Sequence, residues 1–159
     1  MTIHTINKII KLSSNICFFI SITCLVLLVL LNAIEIFTRL VLDYSFMGVQ
    51  EISLLLVCWV IFMGFTRVVI KKEDISVTFL VKKIKAKKLV KVINHILLLV
   101  PSCFVIFLGV GLTLQEMNFT TSIMGLPKGL YILPLPLAFV VITVFLFNEL
   151  IKMAGGEKV

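Results

Sequence analysis

Charge is scarce in this sequence. Only 14% of its 159 residues are Asp, Glu, Lys or Arg, while 60% are hydrophobic and the mean hydropathy is +1.19. A soluble domain built from such a chain would have too little polar surface to face water. Histidine is nearly absent too: His4 and His95 stand alone, which excludes the paired axial ligands of a transmembrane haem. The four cysteines (Cys17, Cys24, Cys58, Cys103) fall inside apolar runs and form no C-x-x-C pair. That excludes a zinc or dithiol redox motif, and the thiols read as small apolar packing groups. No glycine-rich phosphate loop, Ser–His–acid set or cluster of metal-ligating residues occurs. The sequence is therefore read as a non-enzyme without catalytic residues, metal or cofactor.

What the chain has in abundance is long apolar runs. Four segments, at about 12–36, 49–70, 92–115 and 129–150, reach the roughly 20 apolar residues that a helix needs to span a bilayer. Lipid cannot satisfy backbone amides, and four segments are too few for a barrel, so each is expected as a helix. The first run, uncharged from Leu12 to Ile34, is too long for a cleaved signal peptide and is followed by no small-x-small site. The predicted fold is an all-α integral membrane protein of four transmembrane helices, residues 1–159 forming one membrane domain. No internal repeat is visible.

Basic residues are placed unevenly. Of the fifteen Lys and Arg, Lys8 and Lys11 precede the first span, nine lie from Arg67 to Lys91, and Lys152 and Lys158 follow the fourth. Only Arg39 and Lys128 fall on the opposite side. The positive-inside tendency then predicts cytoplasmic termini, a cytoplasmic basic loop and two short outer turns. The loop from 71 to 91 is amphipathic. Ile75, Phe79, Leu80 and Ile84 can share an apolar side against Lys82, Lys83, Lys85, Lys87 and Lys88. It reads as an in-plane helix whose lysines rest on anionic phospholipid, or as a solvated basic loop. Nucleic-acid binding is not indicated, because topology already accounts for the net charge of +7.

The polar residues inside the spans fall into stripes. At about 100° per residue, Ser14, Ser21, Asn32, Glu35 and Arg39 lie within roughly 60° on the first helix, bordered by Cys17. On the third, Ser102, Gly109, Thr113 and Glu116 do the same. Small and polar residues mark protein-facing sides of membrane helices, so Ser21, Asn32, Ser102, Gly109, Thr113 and Glu116 are assigned to helix packing. Ser53, Gly64 and Arg67 share a side of the second helix, with Glu51 pointing elsewhere and Trp59 at mid-span. Glu35, Arg39 and Asp43 follow at i, i+4 and i+8. If the helix persists they form an acid–base–acid ladder, read as a structural clamp between helices or as an ion or substrate site. The ionisable residues Glu35, Glu51, Arg67, Glu116 and Glu149 all lie near span ends, leaving a midplane without chemistry. That favours a helper protein over a transporter working alone.

The run RLVLDYSFMGVQEISLLLVCWVIFMGFTRVVIKKEDISVTFL, with Arg39, Glu51, Gly64 and Arg67 at matching positions, resembles the small membrane subunit (Q, DctQ-like) of TRAP transporters, the tripartite ATP-independent periplasmic uptake systems. SIMGLPKGLYILPLPLAF is similar to the family's second outer turn, a Gly-hydrophobe-Pro leading into a proline-started fourth span. Two departures stand out: Gly48, Val49 and Gln50 precede a single Glu51 where the family often carries an aromatic and paired Glu. Asp74 stands near the place of a common His. The resemblance implies a small subunit in the bacterial inner membrane that braces a large multi-span transport subunit and helps receive a periplasmic substrate-binding protein. It also implies sodium-coupled uptake of an organic acid such as a sialic acid or a C4-dicarboxylate. The outer turns, residues 43–50 and 117–130, are then candidate contacts for the binding protein, with Gly125, Pro127 and Lys128 at the tip of the second. They read equally as hairpins that only return the chain. The alternatives are a self-sufficient, proton-coupled homo-oligomer using Glu35 or Glu116, and an assembly factor for an unrelated complex.

Overall fold

A computed structural model describes residues 2–71 and 87–154, with side chains from 7 to 71 and from 95 to 152. Of the expected in-plane segment 71–91, residues 72–86, with Lys82, Lys83 and Lys85, lie outside the described residues. Its last part is corrected: Lys87 and Lys88 belong to the first turn of the third long helix rather than to a separate element.

Helix α1 spans Thr2–Leu42, α2 Val49–Lys71 and α3 Lys87–Glu116; a single turn α4, Gly129–Ile132, precedes α5, Pro134–Ala154. Among the described residues, four helical stretches are long and apolar enough to cross a membrane. The chain is an all-helical, multi-pass membrane protein. α1 has 41 residues, about 60 Å at 1.5 Å per residue, because no Gly or Pro interrupts it. It stops at Leu42, where Asp43 takes a left-handed φ of 48°. α3 continues through Pro101, whose missing N–H removes one ladder bond.

The helices pack as two antiparallel pairs. α1 lies on α2 and α3 on α5, and the pairs are joined where α5 meets α2 and the edge of α1. Among the described residues, the backbone of α3 comes close only to α4 and α5. Ile10, Ile142, Phe145 and Leu146 form a buried cluster near the chain termini, with Val69, Ile70 and Leu99 packed on it. Lipid tails are as apolar as these side chains, so close fit rather than escape from water holds the cluster together. Below, the terminal end is the end that carries Thr2 and Ala154, and the turn end is the opposite one.

Candidate functional site

The second turn, residues 117–128, is a tight structure fastened to α2. Thr121 N–H donates to Leu126 C=O at 2.8 Å, and Lys128 N–H donates to Phe119 C=O at 2.8 Å. Leu126 N–H returns a bond to the Thr121 hydroxyl at 3.0 Å. Thr120 and Pro127 form an isolated antiparallel bridge. Gly125 makes the reversal possible with a φ of 65°, a conformation that costs a residue with a Cβ far more than glycine.

Glu51, in the first turn of α2, holds the tip. Its Oε1 accepts from Ile123 N–H at 3.1 Å and its Oε2 from Met124 N–H at 3.0 Å. Two successive amides thus converge on one carboxylate, and bonds to an ionised acceptor are about twice as strong as neutral ones. Tyr131 adds a bond from its hydroxyl to Glu51 C=O at 3.1 Å. Met124 lies against Gly48, where a Cβ would come within 2.9 Å of its sulfur, so the two turns touch. The surface above carries exposed apolar groups: Phe46 and Met47 from the first turn, Phe119, Ile123 and Met124 from the second. Tyr44 and Phe46 meet edge-to-face, their centroids 5.0 Å apart. Lys128 is exposed at the rim and Pro127 half-buried.

The entry into α5 explains Trp59. Pro134 has no N–H to give to the carbonyl of Leu130, four residues before it. Trp59 Nε1 donates to that carbonyl at 3.2 Å instead. The helix is interrupted at Leu133, between α4 and α5, as expected of two prolines so close together. Gly129 is buried at the start of α4, where a Cβ would fall 2.7 Å from the carbonyl oxygen of Thr113.

The expected acid–base–acid ladder is corrected. Arg39 Nη2 meets Glu35 Oε1 at 2.9 Å within α1, and its remaining bond goes to Ser45 Oγ at 3.2 Å. Asp43 has left the helix, since α1 ends at Leu42, and takes no part. The pair ties the end of α1 to the first turn rather than one helix to another.

The packing residues divide by helix. Ser21 donates to Val60 C=O at 3.0 Å and Asn32 Nδ2 to Ser53 Oγ at 3.3 Å, both linking α1 to α2. Ser102 and Thr113 are buried but bond within α3, to Leu98 C=O and Gly109 C=O. Gly109 lies against Leu135 and Pro136 of α5. Glu116 is half-buried at the end of α3, where its carbonyl accepts from Phe119 N–H. Among the described residues, no three His, Cys, Asp or Glu side chains are grouped to hold a metal.

Residues 16–156 match the family of tripartite ATP-independent periplasmic transporters, DctQ component. The chain belongs to this family. It is 29% identical over 156 residues to a Haemophilus influenzae protein provisionally named a TRAP transporter small permease protein, covering 94% of this chain and 89% of that one. It is thus the small permease subunit of a TRAP transporter, a component whose family works in transport.

The terminal end of this small subunit holds a polar network that sequence reasoning missed. Asn7 Oδ1 accepts from Asn148 Nδ2 and from Lys152 Nζ, each at 2.7 Å, tying α1 to α5. Glu149 Oε2 lies 3.8 Å from His95 Nε2, joining α5 to α3 with both side chains largely covered by protein. Arg67 Nη1 donates to Asn15 Oδ1, and its guanidinium stacks 4.8 Å from the Phe18 ring. Asn7, Asn15 and Asn148 escape pattern reading because an amide near a span end looks like ordinary headgroup polarity. The available signal is the spacing of Asn148 and Lys152 at i and i+4, which puts both on one side of the last helix.

Proposed function

We propose that this chain braces the large multi-span subunit of a sodium-coupled TRAP system and presents its turn end to the periplasmic substrate-binding protein. The system would lie in the bacterial inner membrane, both termini of this chain cytoplasmic, taking up an organic acid such as a sialic acid or a C4-dicarboxylate. The large subunit carries the substrate and sodium in this reading. The observation that carries it is the platform of two turns fastened by Glu51 and crowned with exposed apolar side chains. A return hairpin needs neither the two-amide anchor nor the uncovered Phe119, Ile123 and Met124; a surface that meets a partner uses both. The described ionisable groups lie toward span ends and suit a supporting role. Glu35 and Arg39 serve as a clamp for the first turn, and Lys82, Lys83, Lys85, Lys87 and Lys88 rest on anionic phospholipid.

The test is to purify the chain from native membranes in mild detergent, with a photo-crosslinking residue at Ile123. A stoichiometric large membrane protein should co-purify, and a soluble binding protein should crosslink when its substrate is present. Recovery of the chain alone as a homo-oligomer that takes up substrate without partners would overturn the reading.

A further inference from the structure

Arg67 has an environment that the packing of α2 does not explain. Its guanidinium sits about one turn inside the end of α2, oriented by Asn15 and by the face of Phe18. Its Nε is buried and has no hydrogen-bond partner. Among the described residues no carboxylate pairs with it. A fixed arginine with a buried, unmet Nε–H donor and no carboxylate partner among the described residues, at the edge of an apolar span, calls for an anion.

The neighbouring face of α1 supplies more of the same charge. Lys8, Lys11, Asn15 and Phe18 lie within roughly 80° of one another around the helix. Lys8 and Lys11 are exposed and, like Arg67, pair with no described carboxylate. Because Asn15 and Phe18 both touch Arg67, this row borders the groove between α1 and α2. Going toward the chain terminus, the groove presents Arg67, then Lys11 about 6 Å further, then Lys8 about 10 Å further. Going the other way it becomes purely apolar, with Phe19 73% exposed. A row of cations above an exposed apolar flank is complementary to one molecule type, an amphiphile with an anionic head.

We propose that the α1–α2 groove at the terminal end binds the phosphate of an anionic phospholipid, held by Arg67, Lys11 and Lys8, with an acyl chain along the flank below Phe18. The proposal uses only the membrane-spanning character of the chain and is independent of how its turn end is used. Arg67 supplies a planar, preoriented donor set for phosphate, which a lysine in its place would not. The lipid would fill the α1–α2 seam at its open side and hold the two helices together.

The experiment is a thermal-shift titration of the full chain, purified and delipidated in mild detergent with whatever large subunit accompanies it. Phosphatidylglycerol is added against phosphatidylcholine in mixed micelles, for wild type, Arg67→Gln and the double variant Lys8→Gln/Lys11→Gln. The basic loop is the same in all three, so its attraction for anionic lipid cancels. Wild type should be stabilised selectively by phosphatidylglycerol. The half-saturating lipid fraction should rise roughly fivefold for each positive charge removed. Lys8 and Lys11 are exposed, so the double variant remains informative even if Arg67→Gln folds poorly. Equal phosphatidylglycerol responses in wild type and the double variant would overturn the proposal. So would a stabilisation by inorganic phosphate as large as that by the lipid, which would mean a site for a free anion. So would an Arg67→Gln protein that keeps its lipid response but releases the large subunit, which would mean a partner's carboxylate on Arg67.

Discussion

Trp59 and Pro134 illustrate how one residue's defect is answered by another 75 positions away in the chain. The carbonyl of Leu130 loses its helical donor to proline and receives the indole N–H across the α2–α4 contact. Replacing Trp59 by Phe keeps an aromatic ring but orphans the carbonyl again, which costs about 1–3 kcal/mol when the group is buried. The apparent melting temperature of the purified subunit should therefore fall in Trp59→Phe. In a Pro134→Ala background the backbone supplies its own donor, so the same substitution should cost markedly less. A double-mutant cycle measures that coupling directly, and additive effects would refute the account. Glu51 makes a second prediction at this scale. Glu51→Gln leaves one oxygen for two amides, so hydrogen exchange at Ile123 and Met124 should quicken while exchange at mid-α2 stays unchanged. Neither residue's role is legible in the sequence. By helical spacing Glu51 points away from the polar side of α2, and Trp59 looks like a packing group at mid-span, because both partners are carbonyls or amides more than 70 positions distant. Pattern reading sees side chains along one helix and has no access to a backbone group on another.

At the scale of elements, the sequence carries far more. Four helices can be anticipated from apolar runs alone, since a lipid solvent leaves the backbone no other choice. The ends are harder: α1 runs well beyond the expected span at both sides, and α3 begins at Lys87. An apolar run marks where lipid is, whereas a helix ends where its backbone meets a turn, as at Asp43. The polar stripe of α1 is readable because Ser21 and Asn32 bond across to α2, at Val60 and Ser53. Contact between α3 and α4 depends on something subtler, the missing side chain of Gly129. A methyl there would press on the Thr113 carbonyl at 2.7 Å, and neither backbone can yield without parting the helices. A methyl at Gly111, on the exposed side of α3, would meet nothing within 4 Å. Gly129→Ala should consequently lower thermal stability. Gly111→Ala should leave it unchanged or raise it, because alanine in a helix is favoured over glycine by about 0.8–1 kcal/mol. Equal responses of the two variants would show that the approach of α4 to α3 is not close enough to matter.

For the whole molecule, the two ends differ in kind, and the difference bears on orientation. The terminal end gathers Lys8, Lys11, Arg67, Lys71 and Lys152, while the turn end has Arg39, already paired with Glu35, and Lys128. Translocating the turn end therefore moves only two positive charges across the bilayer, and moving the terminal end would move many more. The apolar platform over Glu51 would then meet the periplasm, where a binding protein diffuses, and the basic end would meet anionic lipid and the cytoplasm. Single cysteines decide between the two orientations. The four native cysteines are first replaced by alanine, since Cys103 is exposed on α3 and would contribute background. Ser122→Cys, exposed in the second turn, should then react with a membrane-impermeant maleimide in intact spheroplasts. Lys8→Cys should react only after lysis. The reverse pattern would place the platform in the cytoplasm, where it could not receive a periplasmic partner, and would leave the positive-inside bias of this chain overridden by the subunit it assembles with.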